Sequence, residues 1–247
     1  MSRTVPCATY PEKTMKNKGF SLIIGAGEVG TALFNVLKPY HRIALMDRKP
    51  LRIKEKVEIL HVCFGYSDDF VAQVKQYQEK YNPQYTVIHS TVPVGVSRQC
   101  DAIHSPVIGM HPYLEEGIKT FTKFIGGEKA SEVAQYFKKA GLKVYLFDKP
   151  ETTELMKILD TTFYGVCIEY TKEIKRQAAS LGIPFEAWTL YNGDYNAGYQ
   201  KLDHPEYTRP NLVPIMTPIK GHCVGNNLNF LDFPFSKFIK ELNEKNL

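Results

Sequence analysis

Apolar positions along this chain follow two rhythms. Short unbroken runs come first: Leu22-Ile23-Ile24, Ile43-Ala44-Leu45-Met46, Ile59-Leu60-His61-Val62-Cys63-Phe64, then Tyr85 to Ser90, Lys123 to Gly127 and Leu142 to Phe147. Continuous apolar runs of this length predict strands covered on both faces. Between them the spacing stretches to three and four residues, which predicts helices over Val29–Leu37, Phe70–Lys80, Val96–Cys100 and Lys129–Ala140. The exit Gly65-Tyr66-Ser67-Asp68-Asp69 offers capping side chains for the second of these, and Gly141 a C-terminal stop for the last. Alternation of this kind with short connections predicts an α/β fold, a mostly parallel sheet covered by helices. Past Asp148-Lys149-Pro150 the strand rhythm disappears. Glu151 to Leu181 reads as one long helix, Phe185 to Tyr191 as another, and Phe235 to Leu247 as a terminal one; Asn192 to Lys201 has no decisive pattern. Prolines between Asp203 and Lys220 predict an irregular crossing. The expected domains are an arm over 1–18, a sheet domain over 19–148 and a mainly helical domain over 149–247.

The first strand, the turn after it and the strand beyond carry the clearest chemistry. Leu22-Ile23-Ile24 runs into Gly25, Gly27 and Gly30, an amphipathic helix follows, and the next strand ends on Asp47, 20 residues past Gly27. Strand, glycine turn, helix, strand and acid together make the dinucleotide-binding fingerprint of a Rossmann-type domain. Gly25 permits the tight turn, Gly27 lets a pyrophosphate approach the backbone, and Gly30 lets helix and strand pack closely. Phosphates would sit on the unpaired N–H groups of the helix start. The expected cofactor set is Gly25, Gly27, Glu28, Val29 and Gly30, with Asp47, Arg48 and Thr91. Asp47 favours NAD through the ribose hydroxyls and repulsion of a 2′-phosphate. Arg48 beside it could receive that phosphate, so NADP is the second choice.

Composition narrows the field. Hydrophobic content of 43% and charged content of 23% are those of an ordinary globular protein. The net charge of +5 is mild and its basic residues are dispersed, so no nucleic-acid tail is predicted. No apolar run reaches the length of a membrane span, and the first residues lack a signal core. Cys7, Cys63, Cys100, Cys167 and Cys223 lie far apart without a zinc-type pair; they read as reduced thiols of a cytoplasmic protein, and no metal site is expected. Apolar residues on more than one face of Glu151–Leu181 predict a homodimer.

Several segments share the order of one family. Gly25 to Gly30, Ser90-Thr91-Val92 with Gly95, Glu154-Leu155-Met156-Lys157 and Gly221-His222-Cys223 resemble the nucleotide-sugar dehydrogenases, within the 6-phosphogluconate dehydrogenase-like superfamily. These enzymes oxidise a sugar C6 alcohol to a carboxylate with two NAD. The resemblance spans roughly residues 20–230. It implies that Thr91 positions water and cofactor, that Glu116 assists thioester hydrolysis, that Lys157 stabilises an oxyanion, and that Cys223 captures an aldehyde. Three departures stand against it. Thr161 replaces an asparagine four residues past Lys157, and Asn227 replaces an acid four past Cys223. The chain also ends 24 residues after Cys223, so the expected likeness is to a form without the family's C-terminal nucleotide-sugar-binding domain.

Three functional classes follow. The first is an NAD-dependent dehydrogenase of an alcohol on a sugar or nucleotide sugar, by two hydride transfers through a Cys223 thiohemiacetal and thioester. The second is a two-electron hydroxyacid dehydrogenase or imine reductase that uses Lys157 without covalent catalysis. The third is a dinucleotide-binding protein without turnover. His111, after a glycine–methionine turn, could contact substrate or cofactor as readily as serve structure, while His89 and His104 read as structural.

Overall fold

The chain divides into two compact units, Met1–Lys157 and Ile158–Leu247. The computed structural model describes residues 19–49, 51–219 and 224–244, so the expected arm over 1–18 lies outside the described residues. In the first unit β1 (Phe20–Ile24), β2 (Arg42–Met46), β3 (Val57–Val62), β4 (Tyr85–Ile88), β5 (Ile103–His104), β6 (Lys123–Gly126) and β7 (Val144–Phe147) form a sheet in the order β2-β1-β3-β4-β5-β6-β7. Neighbours are parallel except β5 and β6, which run antiparallel. The helices are α1 (Glu28–Leu37), α2 (Phe70–Tyr81), α3 (Val96–Gln99), α4 (Leu114–Thr120), α5 (Ala130–Lys139) and α6 (Pro150–Ser180), the last continuing into the second unit.

The apolar runs are continuous because both faces of the sheet are covered. Successive strand residues point to opposite faces. Leu22 and Ile23 therefore enter different cores, one with Leu60, Val62, Phe70, Val74 and Ile88, the other with Leu33, Ile59, Val87, Ile125 and Phe137. Helix ends follow the turn chemistry in part. Asn82 in the left-handed region ends α2, and Gly141 at φ 77° follows α5 as expected. The expected cap of α2 does not form. Asp69 precedes it, but its carboxylate accepts from Ser67 Oγ (2.6 Å) and Gln73 Nε2 (2.7 Å) instead of a backbone N–H. The pattern also misses α4, whose glycine breaks the apolar spacing. Gly117 is there for clearance, since a Cβ would lie 2.8 Å from the Ile108 carbonyl oxygen.

In the second unit α6 is followed by α7 (Phe185–Lys201) and α8 (Pro234–Glu244). α7 runs through Lys201, past Tyr191, where the periodicity fades. Tertiary contacts sustain it: Arg209 stacks 3.8 Å from the Tyr195 ring centre. Asn196 donates to the Arg209 carbonyl (2.8 Å) and accepts from the Arg209 N–H (2.9 Å). The proline-rich crossing is thus clasped to the helix. Val224, Leu228 and Ile239 form the buried apolar cluster of this unit. No described helix is long and apolar enough to cross a membrane.

Candidate functional site

In an open α/β sheet the ligand crevice lies at the carboxyl ends of the strands where the chain reverses direction. Here that point falls between β1 and β3, because the chain steps from β1 outward to β2 and then back across to β3. The three glycines at its mouth do three different jobs. Gly25 sits at φ +100°, and a Cβ there would lie 2.8 Å from the Phe64 nitrogen. Gly30 has the tightest clearance, with a Cβ only 1.8 Å from the Gly25 carbonyl oxygen. Gly27 faces open space, with nothing within 4 Å of an added Cβ. No side chain caps the start of α1, which leaves its first N–H groups, from Glu28 and Val29 onward, without a side-chain cap. Asp47 is exposed beside them: it follows Met46, whose carbonyl accepts the Gly25 N–H at 2.8 Å. Arg48, next in sequence, is exposed too. This cradle has the shape and the donors a pyrophosphate needs.

Thr91 lies in the loop leaving β4 and is half-buried. Lys157, also half-buried, is one turn past Glu154 on α6. Glu154 entered the sequence reading only as the first residue of the Glu154–Lys157 motif, without a role of its own. It is 0% exposed, and its carboxylate accepts the N–H groups of Gly95 (2.6 Å) and Ser97 (2.8 Å), on the loop that carries Thr91. Burial raises its pKa, and those bonds oppose the rise.

Beneath the crevice lies a buried polar layer built from His61, His89, His104 and Lys123. The proton positions follow from the partners. His89 Nδ1 meets the Ser105 carbonyl at 2.7 Å and must donate. Its Nε2 then accepts from His61 Nδ1 at 3.0 Å, which leaves His61 Nε2 as a bare acceptor without a partner among the described residues. Lys123 Nζ donates to the carbonyls of Ser105 (2.7 Å) and Pro106 (3.0 Å). Burial pulls Lys123 down to about 7, with Lys157 adding a smaller push in the same direction. His61 and His104 fall to about 3 for the same first reason. Burial pushes the Cys63 thiol, just past β3, up to about 12, which disfavours its thiolate. Sequence reasoning missed Lys123, which looks like any strand-end lysine.

The remaining expected residues fall elsewhere. Glu116 is exposed on the first turn of α4, whereas its neighbour Glu115 accepts Asn35 Nδ2 at 2.6 Å and ties α4 to α1. His111 is exposed, with Nδ1 3.3 Å from the Glu28 carboxylate at the start of α1. Cys223 lies outside the described residues. In the second unit the two departures from the resembled pattern meet: Asn227 is buried, and its Nδ2 donates to Thr161 Oγ1 at 3.3 Å. Among the described residues no cluster of His, Cys, Asp and Glu could hold a metal ion.

Neither a protein-family model nor a curated protein sequence matches the chain. Solved structures do. A UDP-glucose dehydrogenase from Pyrobaculum islandicum superposes with a TM-score of 0.69 at 16% identity, over 94% of this chain and 70% of that one. The Mycobacterium tuberculosis 3-hydroxyisobutyrate dehydrogenase, solved with L-serine, gives 0.66 at 12% identity, over 92% and 93%. Psf3 in complex with NADP+ and 2-OPP gives 0.56 at 15%, over 91% and 93%. At these identities the likeness is one of fold.

Proposed function

We propose that the protein is an NAD-dependent dehydrogenase of the nucleotide-sugar dehydrogenase type, oxidising an alcohol on a sugar or nucleotide-sugar-like substrate. The observation that carries this reading is the open, uncapped glycine turn at the strand reversal, with Asp47 beside it. Two of the similar structures are dehydrogenases and a third holds NADP+, which supports a nicotinamide dinucleotide in the cradle. Bound there, the cofactor would supply a hydride acceptor. Gly25, Gly27, Glu28, Val29 and Gly30 would hold its phosphates. Asp47 would hold its ribose and disfavour a 2′-phosphate, which leaves NADP as the second choice through Arg48. Lys157 would stabilise the alkoxide as the hydroxyl proton leaves, and Thr91 would orient water. The Cys223 thiolate would add to the aldehyde carbon to give a thiohemiacetal, a second NAD would take a hydride from it to give the thioester, and water, assisted by Glu116, would displace the thiolate and release the carboxylate. The three described cysteines, Cys63, Cys100 and Cys167, are free, which fits a cytoplasmic enzyme. Exposed Phe163, Tyr170, Leu190 and Tyr191 support a homodimer through the helical unit.

A second reading, two-electron hydroxyacid or imine chemistry without covalent catalysis, is favoured by Asn227. An amide engaged with Thr161 cannot take a proton as an acid would at that position. One experiment separates the readings: the full chain with NAD and either UDP-glucose or 3-hydroxyisobutyrate, following NADH and intact mass. Two NADH per substrate and an acyl adduct lost in Cys223→Ser select the covalent route. One NADH with an active Cys223→Ser variant selects the second. Bound NAD without turnover sinks both readings for these substrates and leaves a dinucleotide-binding protein.

A further inference from the structure

We infer that the start of α6 is a clamp on the segment from Ser90 to Ser97, the loop after β4 and the start of α3, with Thr153 and Glu154 as positioning residues that mount Thr91 and Lys157 on one frame. The inference rests on the oxidoreductase reading for what the frame is for, and on geometry for its existence. Glu154 holds the far end of the loop through the N–H groups of Gly95 and Ser97. Two converging donors need two acceptors. A carboxylate supplies both, whereas a glutamine would turn an NH₂ toward one of them. The near end is held through His104. Its Nε2 lies 3.2 Å from the Ser90 carbonyl and must donate, so its Nδ1 accepts the Thr153 hydroxyl proton at 2.8 Å. Thr153, His104 and Glu154 are all fully buried. On the rim Arg98 bonds Glu151 of the same helical turn.

The seat is also tight from below. A Cβ at Gly126, the last residue of β6, would fall 2.8 Å from Thr153 Oγ1 and 2.6 Å from the Lys149 carbonyl oxygen. An isolated acid at zero exposure is costly, and an apolar residue would fill the same space without that cost. What the acid adds is a fixed loop. Thr91 follows Ser90 directly, and Lys157 is one helical turn past Glu154. Both candidate groups are therefore referred to the same three residues, and neither depends on a mobile loop for its position.

The test compares the full-length wild type with Glu154→Ala, Glu154→Gln and Thr153→Val, after circular dichroism has shown that each folds. Amide exchange over residues 90–97 is expected to rise at least about ten-fold in Glu154→Ala and less in Glu154→Gln. With the substrate that reduces NAD in the preceding experiment, kcat is expected to fall about 10- to 100-fold in Glu154→Ala, by more than NAD affinity falls, and to recover in part in Glu154→Gln. Thr153→Val is expected to speed exchange at the Thr91 end alone. Unchanged exchange in Glu154→Ala overturns the clamp, and faster exchange with kcat within two-fold of wild type overturns its positioning role. Should the wild type turn over neither substrate, the oxidoreductase reading fails for them while exchange alone still decides the clamp. Should Glu154→Ala not fold, the exchange and kcat of Glu154→Gln and Thr153→Val decide by the same criteria.

Discussion

The two units solve the problem of burial in opposite ways. In the first, a large two-sided apolar core, with Leu22, Leu60 and Phe70 on one face of the sheet and Ile23, Ile59 and Phe137 on the other, outweighs the buried polar groups such as His61, His89 and Lys123. In the second, the apolar cluster rests on Val224, Leu228 and Ile239, while the buried set includes Thr161, Thr162, Glu169, Thr171, Lys172 and Asn192. Large apolar side chains stand outside instead, with Phe163 64% and Leu190 74% exposed. Exposed apolar side chains of this kind are the raw material of a packing surface. The first unit has the larger core and carries the proposed ligand seat.

The largest effects are expected where each unit is most itself. Phe137→Ala in the first should cost about 3–5 kcal/mol, as truncation of a fully buried aromatic does. In the second the corresponding point is an ion pair, Lys172 Nζ to Glu169 Oε1 at 2.7 Å with both side chains 1% exposed. Lys172→Met removes the counter-charge of a buried carboxylate and should also cost about 3–5 kcal/mol. Denaturant unfolding measures both. If Lys172→Met were near neutral, the second unit would be held by packing as the first is, and the contrast would weaken.

That contrast also explains what the sequence allowed to be read. Strands buried on both faces announce themselves as runs such as Leu22-Ile23-Ile24, so the sheet and its glycine turn were legible from spacing alone. α4 was not, because Gly117 serves a close backbone approach that no periodicity encodes. α7 past Tyr191 was not, because a clasp from Arg209, distant in sequence, sustains it. At the candidate site the residues proposed to hold a cofactor lie close together in sequence around one glycine turn. Glu154 takes its meaning from Gly95 and Ser97, far upstream, and Lys123 from carbonyls across β5. Such roles exist only once the sheet has formed.

The two buried lysines sharpen the comparison by pH. Lys172 has a carboxylate, whereas Lys123 has, among the described residues, only carbonyls to donate to and is pulled down to about 7 by burial. A base depressed in the folded state carries fewer protons there than in the unfolded chain, across the window from about 7 up to its ordinary 10.5. Stability therefore rises with pH through that window and is lost as pH falls toward 7. Between pH 7 and 9 the wild type should gain roughly 2–3 kcal/mol relative to Lys123→Met. The difference in slope is the readout, since the variant also removes a donor from the Pro106 carbonyl. Below pH 6.5, His61 and His104, both depressed to about 3, should drive acid unfolding in wild type and variant alike. Parallel pH profiles for the two proteins would mean that Lys123 is not buried as a lone base.

The smallest effect on folding is expected on the outside of the second unit, and it is the one that tests what that surface is for. Phe163→Ser with Leu190→Ser removes two exposed apolar side chains that bury little within one chain. Substitutions of exposed groups change monomer stability by within about 0.5 kcal/mol. Measured at low protein concentration, unfolding of the double variant should therefore track the wild type. At higher concentration the two should part. A homodimer gains stability with concentration by mass action, and a variant that cannot associate does not. Light scattering should then find the wild type as a dimer and the variant as a monomer, with the wild-type midpoint alone rising as protein is added. A monomeric wild type would leave Phe163 and Leu190 as surface that a different partner covers. A dimeric variant would place the interface on another face, and the inverted burial of the second unit would need a reason internal to the chain.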